Sequence, residues 1–398
     1  MLDKLKDSNI NYPLLLIFFF PSLLLFFAFL NYYAGYLSNV EGYLDRDGHT
    51  FGRDFAAYWT AAQFAIEGNL QDLYDYEIFA NTIESRFGVT GLFWHYPPFY
   101  LMFITPLGAL DYMTAYCVWT GITLILYLLS ASLLAREHGR FWLVVLVLAP
   151  ATLLNFFIGQ NGFLTAALLF AGFYLLDKQP RLAGIMFGLL TFKPHLGLFI
   201  PLILILTKRW HTFISATLTM CALIIISLLL FGITPWLLMI DNLSALRTTM
   251  LEQGEGTFQR IMPTIFMSLR TAGVEISIAH MIQLTSSISI LGLTAWLSYH
   301  FKPEPLLLFA WVAVASFLAL PYAYVYDMTS FSLLVMVLSV LAIKHRPRNG
   351  EVIVLFVAWW IPFFAIFFNR KDIFIAPIIL AIIAGFIYVK IWKIAREA

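Results

Sequence analysis

Long apolar runs, separated by short polar breaks, follow one another along this chain. They lie near 12–34, 97–110, 112–135, 141–158, 162–177, 182–207, 212–232, 277–300, 305–321, 326–343, 352–368 and 372–393. None shows the two-residue alternation of an outer-membrane barrel strand. A crossing helix needs about 20 residues, so several of these runs are short, tilted or paired. The pattern predicts an all-α polytopic membrane protein, a helical bundle with about ten to twelve crossings. Two polar stretches, 35–95 and 233–276, are much longer than a turn between spans requires. No linker, low-complexity tract or repeat divides the chain, and residues 1–398 read as one domain.

The first polar stretch holds nine of the 23 acidic residues. Within it Phe55, Trp59, Ala62 and Ile66 fall at helical spacing, and Gly68 stops the run. Phe79, Ile83 and Phe87 repeat the pattern over 76–87. Two amphipathic helices are therefore expected, lying on the outer leaflet.

Composition supports this picture: 61% of residues are hydrophobic and 12% charged, against roughly 25% charged in soluble domains. The net charge of +1 argues against a nucleic-acid partner. Cys117 and Cys221 sit inside apolar runs and read as small packed hydrophobes, not as a disulfide or metal pair. No small-residue cleavage site follows the first run, which reads as a retained span.

Lysines and arginines in short loops mark cytoplasmic ends. Lys4, Lys6, Lys208-Arg209, Lys344-His345-Arg346, Lys390, Lys393 and Arg396 put the N-terminus inside. Loops 35–95, 233–276, 321–327 and 369–372 then lie outside. Arg136, Arg140, Lys178 and Arg181 place Gly159-Gln160-Asn161 outside as well. Residues 96–135 must then cross an odd number of times, and a re-entrant or interfacial piece near 97–110 would satisfy this.

Polar residues stranded in this apolar context are the candidates for chemistry. Asp54 opens the first loop helix, as an N-cap or as a carboxylate able to take a proton from an acceptor hydroxyl. Lys193-Pro194-His195 breaks the run 182–207. Its lysine either snorkels outward or serves as the cation for a phosphate group. Gly159-Gln160-Asn161-Gly162 is either a plain turn or a source of amide partners for sugar hydroxyls. Tyr326 belongs to an aromatic belt or to a site. Asp327 faces apolar neighbours with no local cation. Arg260 and Arg370-Lys371 are basic residues in outer loops, suited to a lipid phosphate or to anchoring. No Walker loop, dinucleotide fingerprint, HExxH motif or nucleophile elbow occurs, so no nucleotide-binding signature is present.

Five pieces, in order, carry a resemblance. They are Asp54 with Tyr58, Ala61, Gly68 and Leu73-Tyr74; Tyr96-Pro97-Pro98; Gly159-Gln160-Asn161; Gly184, Gly188 and Lys193-Pro194; and Pro321-Tyr322 with Tyr326-Asp327. In this order the chain resembles glycosyltransferase family 87, polytopic enzymes of the GT-C architecture related to mycobacterial mannosyltransferases. The resemblance implies an amphipathic first outer loop packed over a membrane cavity. It implies a donor sugar on polyprenyl phosphate and inverting transfer to a lipid or glycan hydroxyl at the outer face of a bacterial cytoplasmic membrane. Asp54 takes the place of the family's acid/base residue. Tyr58, His95, Tyr96, Gln160, Asn161, Lys193, His195, Arg260, Tyr326 and Asp327 are then the expected substrate contacts. Where the mycobacterial enzymes carry a functional His in the late outer segment, this chain has Tyr326-Asp327. No metal and no cofactor are expected. The competing readings are a flippase or transporter of lipid-linked sugars and an O-antigen polymerase or ligase. The missing repeated halves and the early position of the larger loop count against these.

Overall fold

The computed structural model describes residues 12–37, 50–253, 257–343 and 349–397. Lys4, Lys6, the loop positions 38–49 and Lys344-His345-Arg346 lie outside the described residues, so the orientation markers among them stay expectations. A 26-residue helix, α1 (Tyr12–Leu37), leads to three helices of the first polar stretch, α2 (Phe55–Glu67), α3 (Leu70–Tyr74) and α4 (Tyr76–Phe87). A broken apolar piece follows: a 3-10 turn Pro98–Tyr100, α5 (Leu101–Ile104) and a second 3-10 turn Thr105–Ala109. Next come α6 (Tyr112–His138), then α7 (Phe141–Val147) and α8 (Pro150–Ile158), bent by 50° where they meet, and α9 (Gly162–Leu175).

The run 182–207 is not one helix. α10 (Pro180–Leu189) and a 3-10 turn Leu190–Phe192 end before Lys193, and α11 (Ile200–Leu206) begins after a series of turns. α12 (Trp210–Phe231) precedes the second polar stretch, built from α13 (Thr234–Arg247), a π-helical segment Thr248–Gln253, α14 (Thr257–Arg260) and α15 (Ile265–Thr271). The chain closes with α16 (Ile276–His300), α17 (Pro305–Ala319), the 3-10 turn Val325–Met328, α18 (Thr329–Ile343), α19 (Asn349–Asn369) and α20 (Ala376–Glu397).

Burial separates the centre from the rim. Every residue from Leu307 to Ala319 of α17 is buried, and so is nearly all of Val325–Ala342. By contrast α12 and α16 leave most of their surface uncovered, with Leu218, Leu229, Leu230 and Ile288 exposed. Apolar belts of that size need hydrocarbon as their solvent. Six described helices are long and apolar enough to cross a membrane, seven if α7 and α8 form one span. Five shorter apolar helices accompany them. The protein is an all-α polytopic membrane protein.

The expected loop helices form, with Gly68 as left-handed cap of α2 at φ +76°. The expected apolar face is corrected. Phe55 and Ala62 are buried, but Trp59 is only half-buried and Ile66 is exposed. Ala56, Tyr58, Thr60 and Ala61 are buried instead. The reason is that α2 is covered from more than one side. The 98–109 piece packs so tightly on it that a Cβ on Gly108 would strike the Ala62 backbone. Cys117 and Cys221 also differ from expectation. Both are free and exposed, on the outer faces of α6 and α12, because an apolar side chain facing lipid has no need of protein cover.

Candidate active site

Asp54 takes the N-cap position of α2, yet its carboxylate caps nothing. Its Oδ2 accepts a hydrogen bond from Gln160 Nε2 at 3.0 Å, and its backbone N–H donates to the Ile158 carbonyl at 3.0 Å. The first polar stretch is thereby pinned to the turn between α8 and α9. That turn needs its glycines. Gly159 has φ +76° and lies against Phe55. A Cβ on Gly162 would collide with the Tyr326 carbonyl oxygen, backbone that cannot move aside. The Gly162 N–H is held by Asn155 Oδ1 at 3.0 Å. The turn is a built joint between three distant segments.

From Asp54 a chain of donors runs in one direction. Asn161 Nδ2 donates to the Tyr96 hydroxyl at 3.0 Å. The Tyr96 and Tyr58 hydroxyls are 2.7 Å apart. Tyr58 donates to Gln160 Oε1 at 2.6 Å, and the Asn161 N–H donates to the same oxygen at 3.2 Å. With its oxygen so occupied, Gln160 turns its amide nitrogen towards Asp54, and the aligned dipoles all favour negative charge on that carboxylate. Asp54 is 4% exposed. Burial raises its pKa above the ordinary carboxylate value; the Gln160 hydrogen bond, then the charges of Arg53 and Lys193, pull the other way.

The second charged group in the site is a pair. Lys193 Nζ lies 2.6 Å from Asp327 Oδ1, with both side chains buried. It also sits over the Tyr326 ring, 5.1 Å from the centroid. Asp327 has no cation nearby in the sequence, and its partner comes from 134 positions away. Lys193 does not snorkel, because leaving it unpaired in this interior would be costly.

His95 and His195 flank the pair. His95 stacks on Tyr96 at 4.4 Å, Tyr96 on Tyr100 at 4.8 Å, and Tyr100 on Phe192 at 4.7 Å. This ladder runs from the first polar stretch to the break that carries Lys193. Burial, then the Lys193 charge, push the His95 pKa down to about 4, so the imidazole is neutral at pH 7. His195 Nδ1 is 3.4 Å from the Tyr322 hydroxyl. Ten of the eleven expected site residues thus gather at one place. Arg260 makes its polar contacts elsewhere: Nη1 is 2.7 Å from Asp372 Oδ1 and donates to the Asn369 carbonyl at 2.8 Å.

Sequence reasoning missed Tyr100, whose hydroxyl accepts from Asn161 Nδ2 at 3.3 Å. Its signal was the four-residue spacing from Tyr96 across Pro97-Pro98. It also missed Tyr324, stacked on Tyr326 at 5.0 Å. Asp54, Tyr58, His95, Tyr96, Gln160, Tyr324 and Tyr326 line a cleft of about 20 Å³, space for a water molecule but not for a sugar. Asn161 Oδ1 is buried with no hydrogen-bond partner among the described residues, so the site has polar capacity to spare. No cluster of three or more His, Cys, Asp or Glu able to hold a metal occurs among the described residues.

A helical membrane bundle with a buried carboxylate, a buried lysine and an array of tyrosine, histidine and amide groups defines a polytopic protein that handles a polar substrate at the membrane. The model of glycosyltransferase family 87 matches residues 94–321, more than half of the 398-residue chain. The chain belongs to that family, and the protein is a membrane glycosyltransferase. No curated protein and no solved structure matches the chain significantly. Asp54 and Asp327 both fall outside the matched segment, but each bonds to a residue inside it, Gln160 and Lys193. Family membership decides against the transporter and polymerase readings.

Proposed function

We propose that the enzyme moves a hexose or pentose, mannose in first place, from a polyprenyl-phosphate carrier to a hydroxyl of a lipid or glycan. The site faces the exterior of a bacterial cytoplasmic membrane, as the basic residues at the opposite helix ends suggest. Asp54 is the general base. It takes the proton of the acceptor hydroxyl as that oxygen bonds to the anomeric carbon. The bond from that carbon to the phosphate oxygen breaks on the opposite face, and the phosphate leaves with the electron pair. Configuration is inverted. A phosphate is a good leaving group once its charge is met, so no acid need protonate it. Lys193 meets that charge, with two ammonium protons free beyond the one given to Asp327. Asp327 is a positioning residue that keeps the lysine charged and in place. Asn161, Gln160, His95, Tyr58, Tyr96 and Tyr326 orient the sugar, with His195 beside the phosphate.

The observation that supports this reading is the Asp54 carboxylate itself. It is buried, relieved of its capping duty and held by a one-way hydrogen-bond chain beside a buried lysine. The 20 Å³ cleft must widen before a sugar enters, which suits a lipid-borne donor arriving laterally. The test is label transfer in membranes supplied with a panel of polyprenyl-phosphate sugars. Wild type is expected to form a new glycosidic product, and Asp54→Asn to lose about 10²–10⁴-fold in rate. Equal product from both proteins removes Asp54 from the mechanism. Labelled sugar crossing vesicles with no new bond removes the transferase reading altogether.

A further inference from the structure

A groove of about 720 Å³ opens between the α3–α4 pair and α13. We propose that it holds the acceptor, and that it takes a neutral, hydroxyl-rich head group in preference to a phosphorylated one. This rests on the transferase reading above and deepens it. Phe93 and His95 line both this groove and the Asp54 cleft, so the two spaces meet at these side chains. An acceptor lying in the groove would therefore reach the base from the outer loop side. The volume suits a ligand of a few sugar rings.

The chemistry of the walls selects the class. Asp72, Asp75 and Glu77 line the groove, and among the described residues no lysine or arginine does. A phosphate there would meet like charge, whereas carboxylates accept hydrogen bonds from hydroxyls. Asp75 already accepts from the Ile78 N–H at 3.0 Å, so among the described residues Asp72 and Glu77 are the acceptors left open. Trp94 and His95 also line the groove, and such rings present an apolar body with a polar tip to a hydroxyl-rich ligand. The Tyr76 and Phe93 rings, 5.5 Å apart, add an apolar wall. Lys193, assigned to the phosphate of the donor, follows α10 and is not one of the groove-lining residues. Donor and acceptor are thus recognised by opposite signs of charge.

The experiment uses the full chain in nanodiscs with whichever polyprenyl-phosphate sugar wild type turns over. Hexyl glycosides of the common hexoses, and the same glycosides carrying a 6-phosphate, serve as acceptor probes. Two rates are read: transfer to the probe, and donor hydrolysis without it. Wild type should favour the neutral glycoside by about tenfold. Met239→Trp, which fills the groove, should raise the acceptor KM and shift partition from transfer to hydrolysis by about tenfold. Glu77→Lys, at an exposed position that folding tolerates, should erase most of the discrimination against the phosphorylated probe. Hydrolysis and transfer falling in parallel would assign the groove to the donor and overturn the proposal. An unaltered acceptor KM in both variants, or a wild-type preference for the phosphorylated probe, would overturn it too. Asp54→Asn retaining both rates would instead refute the base while leaving the KM comparison intact.

Discussion

At the scale of single residues, the proposed mechanism turns on two charges. The base assigned to Asp54 works only when deprotonated, and burial raises its pKa above the ordinary carboxylate value. kcat/KM is therefore expected to rise with pH through that raised value. The Gln160 hydrogen bond stabilises the charged form, so removing it in Gln160→Leu raises the pKa further. The ascending limb of the pH profile then moves to higher pH; a limb that stays in place or moves down contradicts the base assignment. The Lys193–Asp327 pair makes a different prediction. Asp327→Asn leaves a buried ammonium without its counter-ion, which costs about 3–5 kcal/mol. The double variant Lys193→Met with Asp327→Leu should recover most of that stability in thermal unfolding while transfer remains lost. Recovery of activity with stability would mean that the pair is structural alone.

At the scale of elements, close packing is what delivers Lys193 to the site. A Cβ on Gly184 would meet the Thr212 carbonyl of α12, and one on Gly188 would meet Ser215's neighbour Ala216 and Thr219. Small residues four apart let two helices approach this way in a membrane. Gly188→Leu should separate α10 from α12 at a cost of about 1–3 kcal/mol, and lower transfer because α10 ends four residues before the lysine. Gly292→Ala is the control. Its position on α16 is open, and it should be neutral or slightly stabilising in the same unfolding measurement. Much of this level was legible in the sequence. Apolar length marked the spans, and helical spacing with Gly68 marked α2. Asp54, Gln160, Asn161 and Lys193 stood out because polar residues are costly in such surroundings. What stayed hidden was pairing. Nothing local to Asp327 announces a lysine 134 positions earlier. Periodicity also assumes one buried face, and α2 is covered on several.

At the scale of the whole molecule, the two polar stretches act as cover for a site that the helices floor. The second one is tied down at several points. Thr264 Oγ1 donates to the Pro321 carbonyl at 2.9 Å, and the Val325 N–H donates to the Ile261 carbonyl at 3.2 Å. Phe266 N–H donates to Gln283 Oε1 at 3.0 Å. These bonds hold Tyr324 and Tyr326 over the cleft. Arg260 adds a clamp to the loop between α19 and α20, where Asn369 Nδ2 returns a hydrogen bond to the Arg260 carbonyl at 2.9 Å. A sugar cannot enter about 20 Å³, so this cover must shift in each turnover, and the clamp sets how easily it does. Because the Arg260–Asp372 pair is partly solvated, Arg260→Ala should cost no more than about 1 kcal/mol of stability. It should nevertheless raise hydrogen exchange across 257–264 and change kcat, since the strap over Tyr324 and Tyr326 loses its anchor. If substrate entry is instead governed by the 91–95 side of the cleft, exchange will rise at 257–264 with kcat unmoved. The moving part must then be sought at Phe93 and His95, where the cleft opens into the groove beneath α13.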